Sequence, residues 1–216
     1  MKSRYAFCLL SLLFPASFTF AQSANWWEDA VFYEIFVRSF KDSDGNGVGD
    51  FKGITQSLDY LNDGDPATTD DLGITALWLM PIHPSPSYHG YDVYDYKAVN
   101  YDFGTMEDFQ ELLDEAHARG IRIIIDYVMN HTSSSHPWFT QAAQNQNGFR
   151  DFYRWTPTAP SYNGPWGQQV WRYNGNASEH FYGVFWSGMP DLNYDHPPVR
   201  DSIFDAAKFW LEEVGV

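Results

Sequence analysis

Residues 121–131 read IRIIIDYVMNH, and this stretch decides the fold. It opens on Ile121, Arg122, Ile123, Ile124 and Ile125, a branched apolar run that a single charge interrupts. A short apolar run without alternation predicts a strand covered on both faces, as in a parallel sheet. The chemistry then changes abruptly, because Asp126, Asn130 and His131 follow where the strand should end. In barrels of parallel strands, polar side chains at the C-terminal strand ends build the active site. Taken alone, the same residues also suit a solvated loop after a strand. The flanking sequence separates the two readings.

Upstream, the same unit is repeated. Residues 31–37, VFYEIFV, are rich in β-branched and aromatic residues and predict a strand. Ile54, Leu58 and Leu61 are spaced as a short helix. Residues 74–80, ITALWLM, predict a second buried strand that ends at Pro81. Thr105 and Asp108 form a capping-box pattern, Met106, Phe109, Leu112, Leu113 and Ala116 follow at helical spacing, and Gly120 ends the helix. Strand, helix, strand, helix, strand is a βαβ run, and such crossovers make a parallel sheet.

Downstream, residues 132–196 lack sustained periodicity. They hold Trp138, Trp155, Trp166, Trp171 and Trp186, a content that argues against disorder and for an inserted subdomain. Residues 198–214 return to a helix, with Val199, Ile203, Ala206, Phe209 and Trp210 on one face. The sequence stops at Val216, where a further strand is expected.

Composition narrows the function. Aromatics make up 19% of the 216 residues, with nine Trp, which suits sugar binding, where flat rings cover the apolar faces of pyranoses, and equally suits a large core. The formal net charge of −15 argues against a nucleic-acid partner. At the N-terminus, Lys2 and Arg4 precede an apolar stretch over residues 7–14, and Thr19, Phe20 and Ala21 offer a cleavage site. This predicts a signal peptide over residues 1–21 and a secreted or periplasmic protein. The apolar run is short for a membrane span, so no membrane association is expected after cleavage. The one cysteine, Cys8, lies inside the signal, leaving none for a disulfide.

Residues 42–50 read DSDGNGVGD. Oxygen-bearing side chains recur at Asp42, Asp44, Asn46 and Asp50, and glycines allow tight turns, which is how a hard cation such as Ca2+ is wrapped. Val48 offers a backbone carbonyl as a further ligand. The loop begins like a helix–loop–helix calcium hand, but Gly53 stands where that motif needs a bidentate Glu, and a strand precedes it. A calcium loop of another kind is expected.

Together these motifs resemble the α-amylase family, glycoside hydrolase family 13. Residues 126–131, DYVMNH, resemble the family signature D-x-V-x-N-H at the end of the third barrel strand. Residues 189–193, MPDLN, resemble the signature near the end of its inserted domain B. Residues 90–92, GYD, resemble the stacking-tyrosine segment after the second strand, and residues 42–50 resemble the calcium loop after the first. The MPDLN wording is most similar to the group intermediate between oligo-1,6-glucosidases and neopullulanases.

The resemblance implies an α/β fold, the N-terminal part of a (β/α)8 TIM barrel. Residues 1–21 would be the signal, 22–131 the first part of the barrel, 132–196 domain B and 197–216 the third barrel helix. It also implies a retaining hydrolase acting on α-1,4-glucans such as starch and maltooligosaccharides, monomeric when full length. An α-glucosidase or glucan transferase of the same family is the alternative. A non-catalytic carbohydrate- or calcium-binding protein is the reading of another class, favoured only if the gene ends at Val216. By motif match, Tyr91 stacks on the sugar beside the scissile bond, His131 hydrogen-bonds a hydroxyl of that sugar, and Asp126 braces the charged network beneath. Asn130 and Asp191 match positions that hold a second calcium in many amylases. The nucleophile belongs at the end of the fourth strand and the acid/base further on, so the resemblance places no catalytic carboxylate before Val216.

Overall fold

The computed structural model describes residues 25–216. The expected signal, with Cys8 and Ala21, lies outside these residues. Among the described residues, Trp26–Glu28 make a 3-10 turn, and residues 31–216 form the larger of two units.

In the larger unit, β1 (Phe32–Ile35), β2 (Ala76–Leu79) and β3 (Arg122–Ile125) form a parallel sheet in that order. The register aligns Tyr33, Leu77 and Ile123, and then Ile35, Leu79 and Ile125. Side chains alternate along a strand, so these rows share one face. They pack with Phe51 and Ile54 of α1 (Phe51–Thr55), Leu58 and Leu61 of α2 (Leu58–Leu61), and Phe109, Leu112 and Leu113 of α3 (Met106–Ala118). The opposite face carries the row Glu34, Trp78 and Ile124. There Trp78 stays 38% exposed, the mark of a barrel interior that three strands do not close.

The capping box forms as its residues require: Thr105 Oγ1 accepts from the Asp108 amide at 3.2 Å, and Asp108 Oδ2 accepts from the Thr105 amide at 2.8 Å. Other elements are shorter than their patterns. The first strand ends at Ile35, because the chain turns into a 3-10 segment at Val37–Ser39 that pairs with the 42–50 loop through the Gly49 amide and the Arg38 carbonyl, 2.8 Å. The helix expected over 54–61 is two pieces broken at Gln56 and Ser57, and it starts earlier, at Phe51, because Asp50 Oδ1 caps it by accepting from the Gly53 amide at 2.7 Å.

Residues 132–196 hold α4 (Pro137–Ala143) and an antiparallel sheet of β4 (Trp155–Thr156), β5 (Trp171–Asn174) and β6 (Glu179–Tyr182), in the order β4-β6-β5. Aromatic packing supplies its core: Phe139 stacks on Trp155 at 5.6 Å and meets Phe181 edge-on at 4.8 Å. The final helix, α5 (Pro197–Lys208), widens into a π-helical turn at Phe209–Val214 and stops at Gly215, whose φ of +93° is left-handed. This turn accompanies burial of Trp210, whose Nε1 donates to the Tyr96 carbonyl at 2.6 Å. Val199 and Ile203 of α5 join the second core cluster while Trp210 joins the first, so one helical run links both.

Candidate active site

Asp126 follows β3 directly, and its amide donates to the Leu79 carbonyl at 2.9 Å, so the parallel ladder sets where its carboxylate stands. Tyr91 reaches it from the loop after β2: Tyr91 Oη donates to Asp126 Oδ2 at 2.8 Å. Burial, and then the Asp126 carboxylate, push the Tyr91 phenol up to about 12, so it keeps its proton and remains the donor. The loop turns at Gly90, where φ is +81° and a Cβ would press on Pro81.

His131 joins the same group. Its Nε2 lies 3.1 Å from the Tyr91 carbonyl, and its Nδ1 lies 3.3 Å from Asn130 Nδ2. A carbonyl only accepts, so Nε2 carries the proton and Nδ1 accepts from the Asn130 amide. Burial lowers the His131 pKa, partly offset by the Tyr91 carbonyl and Asp92, and the ring is neutral at pH 7. Tyr96 Oη secures the backbone by donating to the His131 carbonyl at 2.7 Å. Both His131 nitrogens are thus engaged within the protein. The contact to Asn130 is the longer of the two.

The segment around Asp191 is stitched to this strand end. The Thr132 amide donates to the Pro190 carbonyl at 3.1 Å, and the Leu192 amide donates to the Asn130 carbonyl at 2.9 Å. His131 and Asp191 form an antiparallel bridge, which brings Asn130 beside Asp191. Burial raises the Asp191 carboxyl to about 6, against the Val184 amide and the Asn130 side chain, which lower it.

Around Tyr91 and His131 lies a cavity of about 460 Å³ lined by His89, Tyr91, His131, Phe185, Trp186 and Met189, with almost wholly apolar walls. This size falls within the range of small-molecule sites. Sequence reasoning missed Phe185, Trp186 and His89 as wall residues. It also passed over Asp92, a buried carboxylate that accepts from Ser85 Oγ at 2.6 Å and from Ser87 Oγ. The GYD motif held the signal for Asp92; nothing in the sequence marked Phe185.

In the 42–50 loop, one oxygen each from Asp42, Asp44 and Asp50 lies within 4.8 Å of the others, close enough to share one calcium at ordinary Ca–O distances. Asp42 accepts from the amides of Gly45 and Gly47, both at 2.7 Å, and the Gly47 bond is the main cause of its lowered pKa. Asn46 Oδ1 accepts from the Val48 amide at 2.8 Å. A Cβ on Gly53 would overlap the Lys41 carbonyl. The position where a calcium hand carries Glu therefore has no room for any side chain here.

Comparison with known proteins places this geometry. Residues 34–216 match the family Alpha-amylase, described as the alpha amylase catalytic domain. "Alpha-amylase 3" of Dictyoglomus thermophilum is 49% identical over 189 residues, covering 87% of this chain and 35% of that protein. "Probable oligo-1,6-glucosidase 2" of Bacillus subtilis is 41% identical over 198 residues, covering 88% of this chain and 34% of that protein. The crystal structure of the alpha-amylase from H. orenii superposes with a TM-score of 0.81 at 53% identity, covering 87% of this chain and 38% of that one. The chain thus spans about a third of the length of the curated relatives it matches. With its parallel β1-β2-β3 sheet and this match over residues 34–216, the chain belongs to the alpha-amylase catalytic-domain family.

Proposed function

We propose that the protein carrying this chain is a secreted glycoside hydrolase that cleaves α-1,4-glucosidic bonds of starch or maltooligosaccharides with retention. In this reading, the chain supplies the wall that holds the sugar beside the scissile bond. The observation that carries it is the Tyr91–Asp126 hydrogen bond at the end of β3, with the Tyr91 ring facing an apolar cavity. The aromatic face stacks on a pyranose, Asp126 holds that ring in place, and neutral His131 offers a hydrogen bond to a sugar hydroxyl. A second reading, hydrolysis of α-1,6 bonds or of short α-glucosides, is supported as well, since relatives named oligo-1,6-glucosidase are 38–41% identical. The test is to express the whole gene and supply starch, maltooligosaccharides and isomaltooligosaccharides separately. Release of sugar from starch, with the α-anomer formed first, is expected. Release from isomaltooligosaccharides alone would move the assignment to the second reading, and no release from any would overturn both.

Calcium belongs to the same proposal. Asp42, Asp44, Asn46 and Asp50, with the Val48 carbonyl, would hold one ion that ties the 42–50 loop to the start of α1. The fit rests on the converging carboxylate oxygens. Asn130 and Asp191 would hold a second, where a cation would favour ionisation of the buried Asp191 carboxyl. A ligand bound only to the folded state adds about 2.7 kcal/mol at a hundredfold excess over its Kd. Chelator is therefore expected to lower the Tm of the whole protein, and Asp44→Ala to lower Tm in calcium and blunt the response to chelator. An unchanged Tm in chelator would remove the stabilising role.

A further inference from the structure

The aromatic surface does not end at the cavity. Phe185 meets His131 edge-on, with centroids 5.2 Å apart, and Trp166 stacks on Phe185 at 5.7 Å with an interplanar angle of 29°. Trp166, Phe185 and Trp186 are 68%, 46% and 47% exposed. Exposed large rings gathered in one place mark a binding surface rather than a core.

This surface is built. Gln168 Oε1 accepts from the Trp166 amide at 2.9 Å, and Gln168 Nε2 donates to the Val184 carbonyl at 2.8 Å. One side chain thereby ties the turn that carries Trp166 to the segment that carries Phe185. The turn closes through the Gly164 amide and the Gln168 carbonyl at 2.8 Å, and a Cβ on Gly164 would overlap the Gln168 amide. Trp186 lies so close over Gly188 that a Cβ there would overlap the indole.

We propose that Trp166 and Phe185, held in register by Gln168, form a further glucosyl-binding platform that continues the Tyr91–His131 cavity and favours longer α-glucan chains. The proposal rests on the glycosidase reading. Its occupant is argued from chemistry: exposed aromatic rings continue from the edge of an apolar cavity, and they suit an uncharged ligand whose sugar rings have apolar faces. A nucleic acid would need basic side chains, and the chain is strongly acidic. Contacts so far out are the same in ground and transition states, so they act on KM and leave kcat alone. Gln168 is a positioning residue, because it acts through the two rings.

The test compares maltotriose with maltoheptaose as substrates for the protein made from the whole gene. For Trp166→Ala, KM for maltoheptaose should rise about tenfold, the equivalent of ~1.4 kcal/mol, with kcat unchanged. Maltotriose kinetics should not move, and Trp166→Tyr should restore most of the loss. Trp166→Gln carries the same expectation as Trp166→Ala, and circular dichroism checks the fold of each variant. Gln168→Ala should reproduce the KM effect in weaker form. If Trp166→Ala and Trp166→Gln change both substrates equally, or neither, the platform is overturned while the glycosidase reading stands. A wild-type protein inactive on every α-glucan would overturn the glycosidase reading, and the platform with it.

Discussion

Residues 22–216, produced alone, are expected to release no sugar from starch and to lack a cooperative unfolding transition. The catalytic half follows from where the carboxylates are. Retaining hydrolysis needs a nucleophile and an acid/base flanking the bond. Of the carboxylates near the cavity, Asp126 is bonded to Tyr91, Asp92 is buried and bonded to Ser85 and Ser87, and Asp191 accepts from the Val184 amide and the Asn130 side chain. All three are engaged in holding the loops around the cavity together, and removing a nucleophile costs about 10⁶-fold in kcat. The stability half follows from the sheet. β1 and β3 are its edges, and the face bearing Glu34, Trp78 and Ile124 is only partly covered. Open edges of this kind template aggregation. Size-exclusion chromatography should show self-association, and near-UV circular dichroism should be weak. A soluble monomer that unfolds cooperatively would contradict the stability claim, and starch hydrolysis by the fragment would contradict the catalytic one.

If His131 takes the proposed role, His131→Ala in the protein from the whole gene is expected to lower kcat on maltooligosaccharides by about 10²-fold, the scale seen when one transition-state hydrogen bond is removed. His131 is buried and neutral, and its imidazole sits between the Tyr91 carbonyl and the Asn130 amide. In that role, its contact with a sugar hydroxyl would strengthen as the transition state forms, so kcat and kcat/KM should fall together. Removing the ring also strips the Tyr91 carbonyl of its donor, so about 1–3 kcal/mol of stability should be lost as well. Kinetics must therefore be measured well below the new Tm. Unchanged kcat would place His131 outside the pocket.

Much of this was legible in the sequence because local chemistry decided it. The apolar run at residues 121–125 predicted a strand, and four residues of it form β3. Thr105 and Asp108 announced the start of α3 because a capping box is purely local. Tyr91 proved to be hydrogen-bonded to both Asp126 and His131, across 35 and 40 residues of chain, which spacing alone does not reveal. What sequence could not show was set by tertiary packing. The helix expected over 54–61 breaks at Gln56 and Ser57, which its apolar spacing did not show. The small antiparallel sheet has strands too short to announce themselves, as β4 holds only two residues. Trp166 and Phe185 lie in segments joined by a Gln168 bond that reaches 16 residues along the chain. A tryptophan in sequence looks the same whether it fills a core, as Trp210 does, or faces solvent.

The most direct test is an electron-density map of the protein made from the whole gene, crystallised with maltose. The account predicts a pyranose ring stacked on Tyr91, with a hydroxyl in hydrogen-bond reach of His131 and the Tyr91–Asp126 bond intact. A sugar bound elsewhere on the molecule, with Tyr91 uncovered and the cavity around His131 empty, would contradict it.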